Sequence, residues 1–136
     1  MHLTLAAMAA FNLVCDVQRF GDDVSPALSA RILTFRVDPM LGRWCEGSCP
    51  AALPIAAMPA SEIVLAHEPA DGHRPGHAIR IAYLTGEYRE SSFGLEGSEG
   101  RPDVVGRCAR APFSGFPPES LRFAAPLRVE VPSSID

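Results

Sequence analysis

The sequence predicts an all-β domain, a small antiparallel barrel or sandwich of short strands and hairpins, disulfide-stapled. Three observations predict it. Thirteen prolines and eleven glycines in 136 residues interrupt the chain too often for long helices. Apolar and polar residues alternate with the period of two that is typical of strands with one buried face. Four cysteines, an even number, allow two disulfide bonds.

The first two predicted strands show this alternation most clearly. Residues 11–18, FNLVCDVQ, carry apolar side chains at every second position, and the positions between them are mostly polar. Residues 31–38, RILTFRVD, repeat the pattern with Leu33, Phe35 and Val37 on one face. We therefore expect each segment to form a strand with one buried face.

The segment DPMLGRW, residues 38–44, indicates a hairpin. Asp followed by Pro favours the start of a tight turn, and Gly42 can adopt the positive φ that ends it. We expect Trp44, on the return strand, to pack in the core; the alternative is a tryptophan that lines a ligand-binding cleft. Residues 79–88 repeat the pattern, with a strand, a short loop closed by Gly86, and an aromatic residue two positions later.

The other segments add short elements separated by turns. Residues 51–60 contain too many prolines for a stable helix, and residues 61–68 read as a strand. We expect a glycine-rich acidic loop at residues 93–103 and a strand at residues 103–113. One helical turn is expected in the tail from residue 113 onward, followed by a final strand at residues 127–131. No helix of useful length is expected.

The cysteines predict two disulfides. Cys45 and Cys49 are separated by three residues that include Gly47, so the chain can fold back and bring them together. Cys15 and Cys108 remain, and each lies on an apolar, inward-facing position of a predicted strand. Closing a loop of that size contributes about 4 to 5 kcal/mol in the chain-entropy model. We expect no free thiol.

Three histidines make a metal site the main alternative to a purely structural interpretation. His67, His73 and His77 lie close in sequence to Glu68 and Asp71, and clusters of this kind can hold metal ions. The three-residue spacer between the paired cysteines also fits a zinc site, which would need two further ligands. We interpret the histidines as polar surface residues, and we expect neither a metal nor another cofactor.

Catalytic and nucleic-acid-binding patterns are weak. The sequence has no nucleophile elbow or zinc-protease motif, Ser114 in PFSGFP fits a packed turn, and acidic pairs such as Glu87 with Glu90 are expected in or beside solvated loops. The formal charge is −4, and the twelve basic residues are scattered arginines. We therefore expect no enzyme and no nucleic acid partner.

The N-terminal residues suggest export. Residues 1–10 are mostly apolar and small, and Ala7-Met8-Ala9 has the form that signal peptidases accept before a cut. We interpret them as the remnant of an export signal whose start lies upstream of Met1, and residues 11–136 as a single β domain. No apolar run approaches the roughly twenty residues that span a bilayer, so no transmembrane segment is expected.

Three motifs, AFNLVC, RWCEGSC and CARAPFSGFP, resemble those of small uncharacterised exported proteins of alphaproteobacteria. The resemblance implies a periplasmic or secreted location and no particular activity. We expect a non-catalytic binding or structural module of the cell envelope, whose partner is an unknown protein or a small-molecule ligand in a barrel mouth. The alternatives are a metal-binding protein that uses the loop from His67 to His77, and a small enzyme inhibitor.

Overall fold

The computed structural model describes residues 9–19, 30–93 and 99–122. Eight antiparallel strands form one sheet that curls into a nearly closed barrel, so the all-β prediction is confirmed and the architecture is a barrel. The strands are β1 Phe11–Arg19, β2 Ala30–Asp38, β3 Arg43–Glu46, β4 Leu53–Pro54, β5 Glu62–Glu68, β6 Gly76–Ala82, β7 Glu87–Phe93 and β8 Glu99–Pro112. The predicted helical turn is α1, Pro118–Arg122. Most of the predicted export-signal remnant and the predicted final strand lie outside the described residues.

The order of the strands in the sheet explains how the barrel closes. It is β4-β3-β2-β1-β8-β7-β6-β5, so the first and last strands pair with each other in the middle of the sheet. The two sheet edges then approach through the segment that follows β4. Ala57 forms an antiparallel bridge with Val64 of β5, and Ile55 donates its N–H to the carbonyl of Gly42. This segment joins the β3 side of the sheet to β5.

The core consists of the inward-facing side chains that the period-two pattern predicts. Phe35 lies at its centre and is fully buried. Its ring centroid is 5.9 Å from that of Trp44 on β3 and 5.9 Å from that of Tyr88 on β7. Aromatic pairs at this spacing add to the free energy gained from burial alone. Trp44 is therefore a core residue, as expected, with 5% of its surface exposed.

The two predicted hairpins have the same turn geometry. Gly42 and Gly86 adopt φ values of 74° and 75°. Each donates its N–H to the carbonyl four residues earlier, Asp38 at 2.8 Å and Ala82 at 2.9 Å. Positive φ is disfavoured for residues with a Cβ, which explains the glycine at both positions. The predicted conformation of Gly42 is confirmed.

Both predicted disulfides are present, and no described cysteine is free. Cys15 and Cys108 face each other directly in the β1–β8 ladder, with their Cα atoms 3.9 Å apart; we call this bond the interstrand disulfide. Cys45 and Cys49, with Cα atoms 5.1 Å apart, form the loop disulfide. The interstrand disulfide thus links the first strand to the last, while the loop disulfide closes the turn after β3.

A second layer covers the outside of the barrel next to the loop disulfide. The guanidinium of Arg43 donates to the carbonyl of Ala52 at 3.2 Å, and the N–H of Ala52 donates to the carbonyl of Ser120 in α1. Arg36 donates to the carbonyl of Gly115 at 2.8 Å. These bonds hold the segment from β8 to α1 against β2 and β3, and both cysteines of the neighbouring loop disulfide are buried.

The acidic glycine-rich segment is shorter than predicted. β7 continues to Phe93 and β8 begins at Glu99, so much of the expected loop is strand; residues 94–98 lie outside the described ranges. Two register shifts between β7 and β8 accommodate the extra residues. Tertiary pairing with bulges therefore overrides the local effect of the glycines and of Pro102. In the described part of the chain, the only helix is far too short to span a membrane.

Candidate functional site

One end of the barrel contains a cavity of about 240 Å³, which we call the mouth recess. Side chains of six strands, β2 to β7, line it. Those of β2, β3, β5 and β6 come from the strand ends that meet at this end of the barrel. The alternation along each strand explains why they point inward, since lining residues on one strand are two positions apart. The recess is thus part of the barrel interior, open at one end.

The floor of the mouth recess is apolar and buried. It consists of Leu33, Trp44, Ile79 and Tyr88, none of which is more than 8% exposed. Phe35 packs against both aromatic rings of the floor, and the indole Nε1–H of Trp44 donates to the carbonyl of Pro54 at 3.1 Å. These contacts hold the rings in place before any ligand arrives.

A hydrogen-bonded chain of three polar side chains crosses one wall of the recess. The hydroxyl of Tyr88 donates to Oε1 of Glu90 at 2.9 Å, and Nε2 of His77 lies 3.0 Å from Oε2 of the same carboxyl. A carboxylate only accepts hydrogen bonds, so His77 carries its proton on Nε2 and donates it. Tyr88 and Glu90 share a face of β7, which places both on the inner side of the barrel.

Tyr88 is held as a neutral hydrogen-bond donor. Burial, followed by the neighbouring charge of Glu90 and its hydrogen bond, raises the pKa of Tyr88 far above its ordinary value of 10.0. The more distant charge of Glu46 also raises this pKa, while Arg31 lowers it. The phenol therefore stays protonated in neutral and mildly alkaline solution, and its bond to Glu90 persists there.

The rim of the mouth recess is charged and exposed. Arg31, Glu46 and Glu68 lie there, at the ends of β2, β3 and β5. Within the described ranges, neither Glu46 nor Glu68 has a hydrogen bond or a salt bridge from its side chain. The recess thus combines an aromatic floor, an internally bonded polar wall and a rim with two carboxylates that have no partner among the described residues.

A second cavity, of about 260 Å³, lies at the opposite end of the barrel and is called the far recess here. Most of the described residues that line it are of apolar type, and Arg110 is the one charged side chain among them. The guanidinium of Arg110 already lies over the ring of Phe11, 4.4 Å from its centroid. Burial raises the pKa of Tyr83 in this lining, and Arg110 opposes the effect. The far recess therefore offers fewer polar side chains that could orient a ligand than the mouth recess does.

The three histidines of the alternative metal site do not form one cluster in the described part of the chain. His67 is on β5 and contacts the ring of Phe93, with centroids 5.6 Å apart; His77 is on β6 and faces the recess. Only His73 lies in the turn between them, where Asp71 accepts two backbone N–H bonds. His67 lies in the strand predicted over residues 61–68, whereas the expectation of a loop that extends to His77 was wrong, because β6 begins at Gly76. No group of three or more potential ligands occurs in the described residues.

Two further sequence expectations can be compared with the structure. Ser114 was expected in a packed turn, but it is exposed and lies in the irregular segment between β8 and α1. Its hydroxyl accepts a hydrogen bond from Nδ2 of Asn12 at 3.0 Å, and Phe113 packs edge-on against Phe116. Glu90 was expected in or beside a solvated loop, and this was wrong. Its side chain is 21% exposed and lies in the wall of the recess, because β7 continues through it. Its spacing of two from Tyr88 was the signal that could have placed it inward.

Comparison of the chain with models of protein families, with curated proteins and with solved structures finds no match. The geometry of the barrel and of the mouth recess is therefore what indicates a function.

Proposed function

We propose that the protein is a non-catalytic binding module that holds a small ligand in the mouth recess. The observation that carries the proposal is the convergence of side chains from six strands on one cavity with an apolar floor. Ligand sites are typically concave, mostly apolar and equipped with a few convergent polar groups. The recess has all three features, and its polar wall is already fixed by internal hydrogen bonds.

The size of the recess limits the ligand. Its volume of about 240 Å³ lies just below the range of about 300 to 1,000 Å³ that is usual for drug-sized ligands. A single ring or a short chain with one polar group fits this space. The ordered floor favours binding, because little side-chain entropy is lost when rings that are already packed contact a ligand.

The proposed location is the periplasm or the exterior of the cell. Two disulfides support it, because such bonds form and persist in oxidising compartments. The interstrand disulfide links β1 to β8, the two strands that lie between β2 and β7 of the recess lining in the sheet. Binding of a small ligand in the cell envelope is the function that these features support best.

The test is a ligand-observed NMR screen with single-ring fragments of positive, negative and zero charge. Ala66 lines the recess, so Ala66→Phe should fill it and abolish the saturation transfer seen with the wild-type protein. Ala109→Phe, on the exposed outer side of β8, is the matched control and should leave the signal unchanged. A signal that survives Ala66→Phe, or a screen without any binder, would contradict the proposal.

A further inference from the structure

The mouth recess carries an excess of negative charge. Three carboxylates, those of Glu46, Glu68 and Glu90, line it together with one guanidinium, that of Arg31. With His77 neutral, the formal charge of the lining is −2, and with His77 protonated it is −1. An anion entering the recess is therefore repelled overall, whereas a cation is attracted.

The carboxylates differ in whether they already accept hydrogen bonds from other side chains. Both oxygens of Glu90 accept hydrogen bonds within the wall, from Tyr88 and His77. Glu46 and Glu68 have no such partner among the described residues, and both lie at the exposed rim. A cationic group at the rim can thus bond to carboxylates that do not have to give up an existing partner. The exposed rim also leaves the charge of the ligand partly hydrated, which keeps the desolvation cost low.

The floor restricts the rest of the ligand. Trp44, Tyr88, Leu33 and Ile79 present a buried apolar surface below the rim. Aromatic side chains pack against an apolar ring either stacked or edge-to-face, and their negative π faces attract a nearby cation. The cavity and its aromatic floor make the site, and the charges at its rim decide the class of ligand.

We propose that the mouth recess selects small organic cations: an ammonium or guanidinium group carried on a single apolar ring or a short apolar chain. This inference rests on the proposed function, because it names the ligand class of the same recess. The apolar part lies on the aromatic floor, and the cationic group lies between Glu46 and Glu68. Among the described lining residues, Arg31 and a protonated His77 disfavour this pose, and the three carboxylates outnumber them.

Three probes with the same phenyl ring test the selectivity: 2-phenylethylamine, 2-phenylethanol and 3-phenylpropionate. Titrations followed by NMR should show that the amine binds at least about fivefold more tightly than the alcohol. This difference is expected because the ammonium group forms partly exposed charge pairs with the rim carboxylates. The carboxylate probe should bind more weakly than the alcohol. Raising the ionic strength to about 1 M should reduce the preference for the amine, because salt screens exposed charges.

Two single-charge variants locate the effect. Glu46→Gln removes one rim carboxylate and should weaken binding of 2-phenylethylamine by about two- to fivefold, with no change for 2-phenylethanol. Glu119→Gln removes one exposed carboxylate from α1, outside the recess, and changes the net charge of the protein equally. It should leave both affinities unchanged. Both substituted residues are exposed, so the barrel is expected to fold in either variant.

The outcomes separate this inference from the proposed function. If the alcohol or the carboxylate probe binds as tightly as the amine, or if Glu46→Gln and Glu119→Gln behave alike, the ligand class is wrong. Binding that Ala66→Phe abolishes then still supports the recess as a site. If no probe binds, or if amine binding survives Ala66→Phe, both the ligand class and the proposed function fail.

Discussion

Alanine in place of Gly42 and alanine in place of Gly86 should destabilise the barrel by very different amounts. The two glycines have nearly equal φ values, 74° and 75°, and each closes a turn with the same backbone hydrogen bond. The backbone strain added by a Cβ is therefore the same at both positions. The surroundings differ: no atom lies within 4 Å of a Cβ added at Gly42, whereas one at Gly86 collides with the backbone carbonyl of Cys108.

The expected costs follow from this difference. Gly42→Ala should lower the free energy of unfolding by about 1 kcal/mol, the cost of a left-handed conformation with a side chain. Gly86→Ala adds overpacking of about 1 to 3 kcal/mol. It also disturbs the bond that the N–H of Cys108 donates to the carbonyl of Gly86 at 2.7 Å, worth about 1 kcal/mol. The total at Gly86 is about 3 kcal/mol or more.

Urea unfolding measures both costs on the same protein. Trp44 is the only tryptophan and lies in the core, so its fluorescence reports global unfolding. The two midpoints can be compared directly if the slopes of the transitions agree. Equal losses for Gly42→Ala and Gly86→Ala would refute the close approach of the second turn to β8. A neutral Gly42→Ala would refute the positive φ itself.

Three further predictions concern the disulfides, Tyr88 and zinc. The interstrand disulfide joins residues 93 positions apart and the loop disulfide joins residues 4 apart. Replacing both cysteines of one disulfide by alanine should therefore lower the free energy of unfolding by about 2 to 3 kcal/mol more for the interstrand disulfide than for the loop disulfide. Equal losses in urea unfolding would contradict the loop-entropy explanation. Because burial raises the pKa of Tyr88, the unfolded chain releases this proton at lower pH than the folded protein, and stability should fall as the pH rises above about 10. Between about pH 8 and pH 11, the urea midpoint should fall less steeply with pH in Tyr88→Phe than in the wild-type protein. The same pH dependence in both proteins would mean that a group other than Tyr88 is responsible. Zinc should leave the melting temperature unchanged at neutral pH; a rise that His73→Ala abolishes would instead support the metal-binding alternative.

The strands, the hairpins and the disulfides could be predicted because they depend on local patterns. Alternation with a period of two identifies the inward face of β1 and β2, and the cysteines at positions 15 and 108 follow from it. The glycines at the two turns are needed for positive φ, whatever the rest of the fold. The choice between a barrel and a sandwich could not be predicted, because closure depends on the bridge between Ala57 and Val64 and on the pairing of β1 with β8.

A ligand in a barrel mouth was expected, but most of the residues that line the mouth recess were missed, for a related reason. Its polar wall brings together β6 and β7, and its rim brings together the ends of three other strands, so no short stretch of sequence contains the site. Glu90 and His77 stand near turn-forming residues and were interpreted as loop residues. The strands continue through both positions, and the alternation along each strand places both side chains on the inner face. Extending the alternation from Tyr88 by two residues would have found Glu90.

The measurement that tests the central claim most directly is the set of intermolecular nuclear Overhauser effects between the phenyl protons of 2-phenylethylamine and the side chains of the barrel interior. Leu33 and Ile79 belong to the floor of the mouth recess, while Leu13 and Ile63 line the far recess. Binding in the mouth recess predicts contacts to Leu33 and Ile79 and none to Leu13 or Ile63. Contacts to the far recess, or to neither pair, would contradict it.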